Sequence, residues 1–410
     1  MQDLLFPTSR TSFASLHPLI KEVTSDASNV QETLWDIPYT IKQLSYLSHS
    51  HYRYYGKFPP AIPAELIKQA AFGKHDYVLD NFCGSGTTLV EAKLAGIRSY
   101  GVDISWISAL VSNVKIRHID VTLCGVLIER CIAEFESAVA PPLVSEFASK
   151  WFTEETTTDL QRVQSWLLEE PASDLRDFLL VGFLSIVRRV SRAYDAEVRP
   201  HVNPGKKTRG VKEALRKKLN DMLVDHTAFQ ACTDAQIGGE CLVGNNLVLP
   251  RQFSDGHCAL VISHPPYLNS FNYRPVFSLE FFWGQPFEHF YSTEKPGFIK
   301  DELIAHPASD DITAKYFAHL SQCYQATFEC QKRGGRLAVV IGDCTKQGQL
   351  IRVIEQTCEL VERIGYQLIQ RNFRTTHYGL GKYAYKHRAD YHGEQEDKRD
   401  AILVFQKLRD

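Results

Sequence analysis

The stretch YVLDNFCGSGTTLVEAKLAGIRSYGVD, residues 77–103, decides the fold class of this chain. It opens with an apolar run typical of a buried strand and passes through a glycine-containing turn. An apolar-periodic segment typical of a helix follows and stops at Gly96. A second apolar run then ends in Asp103. Strand, helix and strand within about 30 residues predict a βαβ unit, which requires a parallel sheet with a right-handed crossover.

The rest of the chain extends this unit into one interrupted sheet. Strand-like runs return in the C-terminal part of the chain, at GECLVGN, CALVISH, GRLAVVIGD, YQLIQRNF and AILVFQKL. Helical periodicity dominates from about residue 121 to residue 223. We predict an α/β fold, a doubly wound and mostly parallel seven-stranded sheet with an inserted helical subdomain. We divide the chain into residues 1–120, a helical insertion over 121–235, and residues 236–410, and we expect mixed helix and loop over residues 1–50.

Composition restricts the class of protein. The hydrophobic content of 44% and charged content of 23% are those of a soluble globular protein. The net charge of −2 does not favour nucleic acid, so an argument for such a partner depends on local patches. The 10 cysteines lack zinc-type spacing, which predicts reduced thiols and no metal. With no signal-peptide pattern and no membrane-length apolar run, we expect a cytoplasmic protein without membrane contact.

The glycine turn is the first candidate binding feature. Gly84 and Gly86 stand between strand and helix, where missing side chains let a ligand approach the unpaired N–H groups of the helix start. Asp103 ends the next strand, where an acidic residue binds ribose hydroxyls in nucleotide-binding units. Leu89 replaces the third glycine of a dinucleotide site, and no GK[ST] is present for a triphosphate. The alternative is a tight turn whose glycines serve packing alone.

The segment DNFCGSGTTLVEAKLAG, residues 80–96, resembles the S-adenosylmethionine motif of amino-methylating DNA methyltransferases, DPFxGSGTT, with Asn81 in place of proline. The resemblance implies S-adenosylmethionine as the cofactor and Asp103 as the residue that holds its ribose. It also implies a set of residues around the methionine end of the cofactor, namely Asp80, Phe82, Gly84, Ser85, Gly86 and Thr87. The upstream YYGKFPPAIPAELI resembles the family segment before this loop and places Lys57 and Phe58 near the cofactor. A proline-rich lead-in to a helix is the alternative there.

A second feature is the loop in LVISHPPYLNSFNY, residues 260–273, which follows an apolar run. An exocyclic base amine is a poor nucleophile, because its lone pair is delocalised into the ring. Acceptors for both amine hydrogens free that lone pair, and proline offers a carbonyl on a stiff backbone. An aromatic ring gives a flipped base a surface on which to stack.

This loop resembles the family's (D/N/S)PPY motif, so that Pro265, Pro266 and Tyr267 match and His264 departs. The first position normally accepts a hydrogen bond from the target amine, which a neutral imidazole can do and a protonated one cannot. The resemblance therefore implies His264, Pro265, Pro266 and Tyr267 as the catalytic loop. The alternative is that His264 points elsewhere and the enzyme is weak or inactive.

Weaker patterns complete the candidate site. GNNLVLP, residues 244–250, resembles the family's GDAxxLP and places Asn245 at the cofactor adenine, although a plain turn asparagine fits the pattern equally well. After the PPY loop, FNYRPVFSLEFFWG is expected to border the base pocket with its first residues. Its Phe277, Phe281 and Phe282 are expected in the core. Long loops over 284–312 and 372–398 are candidates for recognition.

The most basic stretch, RPHVNPGKKTRGVKEALRKK, spans residues 199–218. Contacts to DNA phosphates are the functional interpretation, and an ordinary solvated face is the alternative. The candidate phosphate contacts are Lys206, Lys207, Arg209, Arg216 and Lys217.

Together these patterns predict a DNA methyltransferase that modifies the N4 amine of cytosine, with the N6 amine of adenine as the second choice. In the family an aspartate before PPY favours adenine, and this loop has none. The resemblance implies double-stranded DNA with a flipped target base as the substrate and a cognate restriction endonuclease as a partner. The rival interpretations are methylation of RNA or of a protein glutamine, and a DNA-binding protein without catalytic activity.

Overall fold

The computed structural model describes residues 13–22, 30–141, 143–250, 253, 255–292, 302–303, 305–306, 309–346, 349–376 and 400–408. The strands in these ranges are β1 Leu19–Glu22, β2 Gln31–Ile37, β3 Tyr77–Asp80, β4 Arg98–Asp103, β5 Gly239–Val243, β6 Cys258–Ser263, β7 Gln331–Gly342, β8 Cys344–Lys346, β9 Gln349–Ile351, β10 Tyr366–Thr376 and β11 Asp400–Lys407. The α-helices are α1 Ala61–Gln69, α2 Thr87–Leu94, α3 Trp106–Ile116, α4 Val121–Glu134, α5 Glu146–Trp151, α6 Glu154–Glu169, α7 Asp174–Val190, α8 Val211–Cys232, α9 Tyr273–Val276, α10 Ser278–Gly284, α11 Asp310–Cys330 and α12 Val353–Ile364.

One large sheet organises the fold, with the strand order β1-β2-β10-β11-β7-β6-β3-β4-β5. The five strands from β7 to β5 run parallel to their neighbours, and β11 is antiparallel to both β7 and β10. The predicted α/β class and mostly parallel sheet are therefore confirmed. All seven predicted strands are present, but the strand count was wrong, because the described part of this sheet has nine strands.

The two additional strands lie within residues 1–50, where mixed helix and loop was expected. In β2 the buried residues Thr33, Trp35 and Ile37 alternate with less buried ones, which is the period of a strand with one covered face. The strand pairs in parallel with β10 and extends the sheet beyond the predicted edge. The expectation was wrong because a seven-residue strand gives a short periodic signal, and its partner lies far along the sequence.

The candidate site lies where the strand order reverses. From β3 the chain crosses to β4 on one side, and β6 pairs with β3 on the other side. In doubly wound sheets the ligand crevice forms at this point, beyond the carboxyl ends of the strands. Gly86 begins α2 there with a φ of 74°, and a Cβ atom at this position would lie 2.8 Å from Ser112 Cβ. This turn therefore requires glycine for its backbone conformation and for its packing.

Helices α4 to α8 fill the segment between α3 and β5 and share one hydrophobic cluster with α3 and α10. Helix α8 also contacts Ser50 and His51, in the segment N-terminal to α1. Lys218 Nζ donates to the carbonyl of Ser50 at 3.0 Å, and the ring nitrogens of His51 and His226 lie 3.2 Å apart. The helices thereby support residues 46–58, which lead into the site. No helix of the described ranges is long and apolar enough to cross a membrane.

Candidate active site

A cavity of about 950 Å³, partly open to solvent, lies beyond the carboxyl ends of β3, β4, β5 and β6. The sequence-predicted residues that line it are Lys57, Phe58, Phe82, Gly84, Ser85, Thr87, Asp103, His264 and Pro266. The cavity thus brings together the segment before the glycine turn, the turn itself and the PPY loop. The predicted site residues that do not line it are Asp80, Gly86, Asn245, Pro265 and Tyr267.

Asp80 shapes the glycine turn from beneath the cavity. Its side chain is fully buried, and its carboxylate accepts hydrogen bonds from the Thr88 hydroxyl at 2.5 Å and from the Phe82 N–H at 3.1 Å. Burial raises the pKa of Asp80 to about 7, because charging a carboxyl away from water is costly. The expected role of Asp80 in lining the cofactor is therefore replaced by a role in holding the loop that does so.

Asp103 faces the cavity at the end of β4. Its Oδ2 accepts from the Gly84 N–H at 2.8 Å, and its Oδ1 accepts from the Ser105 N–H at 2.9 Å. Burial raises the pKa of this carboxyl to about 6. Each carboxylate oxygen can accept a second hydrogen bond, so that Asp103 can hold two neighbouring hydroxyl groups while it fixes the glycine turn.

The polar groups of this cavity fit S-adenosylmethionine. Asn81 Oδ1 and Ser85 Oγ belong to residues that line the cavity, and both are buried without a hydrogen-bond partner in the described part of the chain. Lys57 supplies a cation, with its Nζ 3.3 Å from the carbonyl of His49, and burial lowers its pKa to about 8. An amino acid carries an ammonium and a carboxylate. The cavity therefore offers an acceptor, a hydroxyl and a positive charge that can satisfy them.

Asn246, and not the expected Asn245, lines the cavity. Asn245 Oδ1 accepts from the Leu247 N–H at 3.0 Å and so closes its own turn, as the alternative interpretation of the pattern held. Asn246 Nδ2 donates to the carbonyl of Asn81 at 3.2 Å. Its Oδ1 lies 3.3 Å from Nε2 of His319, on α11. The GNN segment thus contributes its second asparagine, which is oriented by a helix that no motif indicated.

The PPY loop is held from two sides. His264 is half-buried at the cavity, with its ring 4.9 Å from the Phe58 ring and 5.3 Å from the Tyr267 ring. The hydroxyl of Tyr316, on α11, donates to the carbonyl of Pro266 at 2.9 Å. Within the described residues, no hydrogen bond uses the carbonyl of Pro265. The loop therefore presents an imidazole and a fixed proline backbone.

Tyr267 is only 7% exposed, and its hydroxyl oxygen accepts from Arg374 Nη2 at 3.2 Å. Its ring meets the His264 ring edge to face, at 77°. The tyrosine therefore stands behind His264 and does not line the cavity itself.

Three aromatic rings line the cavity, and that of Tyr54 lies against the glycine turn, where a Cβ on Gly84 would lie 3.1 Å from it. The Tyr54 ring stacks on the Phe277 ring at 5.0 Å and on the Tyr273 ring at 5.7 Å. Phe277 belongs to the core, as expected, and also lines the cavity. Phe281 and Phe282 are partly buried and pack against this core; Phe281 lines the cavity too, whereas the Phe282 ring lies 4.7 Å from the Phe147 ring.

Tyr273 and Arg274, among the first residues of the segment expected to border the base pocket, do line the cavity. The cavity residues that the motifs did not indicate are Tyr54, Asn246, Phe277, Phe281, Glu302, Leu303 and His319. The aromatic clusters HYRYYGKF and FNYRPVF are a signal for the tyrosines and phenylalanines. No comparable pattern marks Glu302 or His319, because both reach the cavity through tertiary packing. Residues 293–301, 304, 307–308 and 377–398 of the expected recognition loops lie outside the described residues.

The basic segment divides into a buried anchor and exposed charges. Lys206 is an anchor, since its Nζ donates to the carbonyls of Arg188 and Ala193 and to Asp195 Oδ1. Its expected role as a phosphate contact stays a prediction. Lys207, Arg209 and Arg216 are exposed. Lys217, also exposed, forms an ion pair with Asp221 at 2.9 Å.

All ten cysteines are free. Among the described residues, no group of three or more His, Cys, Asp or Glu side chains is arranged to hold a metal ion. Cys83 is buried inside the glycine turn, where a Cβ on Gly101 would collide with its sulfur. It serves the packing of the turn.

Known proteins resemble the cavity-forming part of this chain. A family model described as DNA methylase, of the N6/N4 type, matches residues 9–110. Type II methyltransferase M.MvaI from Kocuria varians is 24% identical over 251 residues, 55% of this chain and 54% of that protein. Type II methyltransferase M.BsoBI from Geobacillus stearothermophilus is 25% identical over 264 residues, 57% of this chain and 52% of that protein. The chain spans about half the length of these curated relatives.

Among solved structures, TrmN from Thermus thermophilus aligns with 86% of this chain and 50% of its own, at 11% identity and a TM-score of 0.33. The fold assignment rests on the strand order and not on this superposition. The matched family region includes the glycine turn and Asp103, which line the cavity, and the cofactor of this site is S-adenosylmethionine. Over residues 9–110 the chain matches the family of N6/N4 amino-methylating DNA methylases.

Proposed function

We propose that this chain transfers a methyl group from S-adenosylmethionine to the exocyclic N4 amine of a cytosine that is flipped out of double-stranded DNA. One observation carries the proposal: the glycine turn after β3, Asp103 after β4 and the loop after β6 line a single cavity. A cofactor held by the first two elements and an amine held by the third would meet inside it. Bringing two reactants into contact is a large part of catalysis for such a transfer.

The residues of the loop would activate and orient the amine. A neutral His264 ring nitrogen accepts a hydrogen bond from one amine hydrogen. The carbonyl of Pro266, which lines the cavity, accepts from the other through its second lone pair, because the Tyr316 hydroxyl occupies only one. Two acceptors make the amine nitrogen more pyramidal and free its lone pair. When bound, the cofactor supplies the methyl group as a sulfonium substituent.

The cofactor contacts follow from the cavity. Asp103 would hold the ribose hydroxyls, while Lys57 and Ser85 would hold the carboxylate and ammonium region together with Asn81 Oδ1. Asn246 lines the cavity with an amide whose oxygen lies within reach of His319. It is the candidate for the adenine edge, in place of Asn245.

Cytosine is the first choice because the loop has histidine where an aspartate would favour adenine. The N6 amine of adenine remains the second candidate, since it presents the same two hydrogens to the same acceptors. DNA phosphates would meet the exposed Lys207 and Arg209, which extend from the Lys206 anchor. A cognate restriction endonuclease is the partner that the family resemblance favours.

The test is methylation typing of genomic DNA from cells that express the chain, with Tyr267→Ala as the matched variant. We expect N4-methylcytosine only with the intact loop, at one recurring sequence. N6-methyladenine would keep the enzyme class and overturn the choice of base. If methyl groups from isotopically labelled S-adenosylmethionine appear in RNA or in protein but not in DNA, the choice of substrate is overturned. Cofactor binding without transfer to any of these would favour a DNA-binding protein that lacks catalysis.

A further inference from the structure

A buried charge pair outside the PPY loop holds the phenol of Tyr267. Arg374 Nη2, on β10, donates to the Tyr267 hydroxyl oxygen at 3.2 Å. The same guanidinium pairs with Asp400 at the start of β11, with Nη2 3.0 Å and Nε 3.3 Å from Oδ2. The side chains of Arg374 and Asp400 are 7% and 2% exposed. Water and salt therefore screen these contacts little.

Strand register brings the pair together. Phe373 pairs with Ala401 in the antiparallel β10–β11 ladder, which places Arg374 opposite Asp400. Cross-strand neighbours of this kind lie close enough for their side chains to interact. A guanidinium is a planar fork whose donors keep a fixed geometry once a carboxylate holds it. The position of the Nη2 donor is thus set by the sheet and not by the loop.

Among the described contacts, two orient the ring of Tyr267. The hydroxyl oxygen lies on the axis of the ring, so that the bond from Arg374 sets the direction of this axis. The edge-to-face contact with His264, at 77° and 5.3 Å, sets the rotation of the ring about the axis. Neither contact alone determines the plane, whereas the two together do. The same contact holds the imidazole of His264 at the cavity.

We propose that Arg374, held by Asp400, is a positioning residue for methyl transfer, acting through the Tyr267 ring on His264. The inference rests on the proposed function. Arg374 does not line the cavity and touches no reacting atom. If the Arg374–Asp400 pair only stabilised the ends of β10 and β11, changing Arg374 would lower kcat equally with and without the Tyr267 hydroxyl. Whether the effect of Arg374 depends on this hydroxyl can be measured.

The experiment is a double-variant cycle with Tyr267→Phe, Arg374→Lys and the two combined. Initial rates of tritiated methyl transfer from S-adenosylmethionine to unmodified, enzymatically amplified genomic DNA give kcat and the KM for each substrate. We expect each single variant to lower kcat about five- to tenfold with little change in the KM for the cofactor. The combined variant should be no slower than the slower single variant, because both remove one contact. Arg371→Lys is the control, since Arg371 lies on the same strand and pairs with Glu32 at 3.2 Å.

A second variant separates a loss of positioning from a loss of folding. Arg374→Met with Asp400→Leu removes both charges together, so that neither remains buried without its partner. With an unchanged melting temperature it should show the same loss of kcat, and adding Tyr267→Phe should cause no further loss. If the fold-losses of kcat in the separate variants multiply when the variants are combined, in either cycle, the positioning role is overturned and the proposed function stands. No transfer to DNA by the unaltered protein would overturn the proposed function and this inference with it.

Discussion

Lys57 is a cavity residue whose charge state changes just above neutral pH. Burial lowers its pKa to about 8. Its ammonium is the proposed partner of the cofactor carboxylate, so that binding requires the protonated form. We expect the affinity for S-adenosylmethionine to be constant below pH 8 and to weaken above it, towards a limit of about tenfold per pH unit. Isothermal titration calorimetry from pH 6.5 to 9.5 measures this dependence.

The variant Lys57→Arg is the matched control, because a guanidinium stays protonated throughout this range. The amino group of the cofactor titrates in the same range and affects both proteins alike. The difference between the two curves therefore isolates the lysine. Identical curves for Lys57 and Lys57→Arg would rule out the ammonium–carboxylate pair.

His264 gives a second pH dependence, in which activity is lost on the acid side. The proposed acceptor role needs a neutral imidazole, because a protonated one cannot accept a hydrogen bond. We expect kcat to fall as the pH drops and the imidazole becomes protonated, towards a limit of about tenfold per pH unit. In His264→Asn the side-chain amide oxygen accepts without titrating, so this variant should lack the fall. The same acid limb in both proteins would assign it to another group.

For single residues, the motifs predict the type of chemistry better than they predict which residue lines the cavity. Residues of the glycine turn and His264 do line the cavity, because a turn between a strand and a helix tightly constrains its own geometry. Asn245 and Asn246 show the opposite case. Both are adjacent amides after β5, and which one faces the cavity depends on a turn hydrogen bond to Leu247 that composition does not encode.

The loop between α7 and α8 shows why a basic run has to be divided into its parts. Lys206 is buried against backbone carbonyls, whereas Lys207 and Arg209 are exposed. We expect Lys207→Gln with Arg209→Gln to weaken DNA binding and to lower the slope of log affinity against log salt by about two. The melting temperature should not change. Fluorescence anisotropy with a labelled duplex at several salt concentrations measures both quantities.

Lys206→Gln is the contrasting variant. It should lower the melting temperature, because three acceptors lose their shared donor, and it should leave the salt slope close to that of the unaltered protein. A salt slope reduced by Lys206→Gln alone would make this lysine a phosphate contact after all. An unchanged slope in the double variant would place the DNA surface elsewhere.

The central βαβ unit could be predicted because each of its elements is encoded by neighbouring residues. Strand β2 could not, since its pairing with β10 joins Gln31 to Gln370 across most of the chain. The same applies to Arg374 and Asp400, whose contact depends on the register of two late strands. Local periodicity determines that a segment is a strand. It does not determine which segment lies beside it, and the missed cavity residues on α11 and near residue 302 follow from the same limit.

The stability of the whole molecule should depend on pH, because some of its acidic side chains are buried. Glu280, on α10, is 5% exposed, and burial raises its pKa to about 7 despite the charges of Arg188 and Arg53 nearby. In the unfolded chain this carboxyl ionises near pH 4.5, whereas in the fold it stays protonated until about pH 7. The folded state therefore holds the extra proton between these values, and its stability falls as the pH rises through that window.

Glu280→Gln removes this titration and keeps the shape of the side chain. Each unit of pKa shift corresponds to about 1.4 kcal/mol, so that the variant should gain up to about 3 kcal/mol over the unaltered protein between pH 4.5 and pH 7. The difference in melting temperature should widen across this range and remain constant above it. Calorimetric melting at closely spaced pH values measures it, with the exposed Glu359→Gln as the control. A pH-independent difference would mean that Glu280 is ionised in the fold and paired with Arg188, which would reverse the assigned balance between burial and charge.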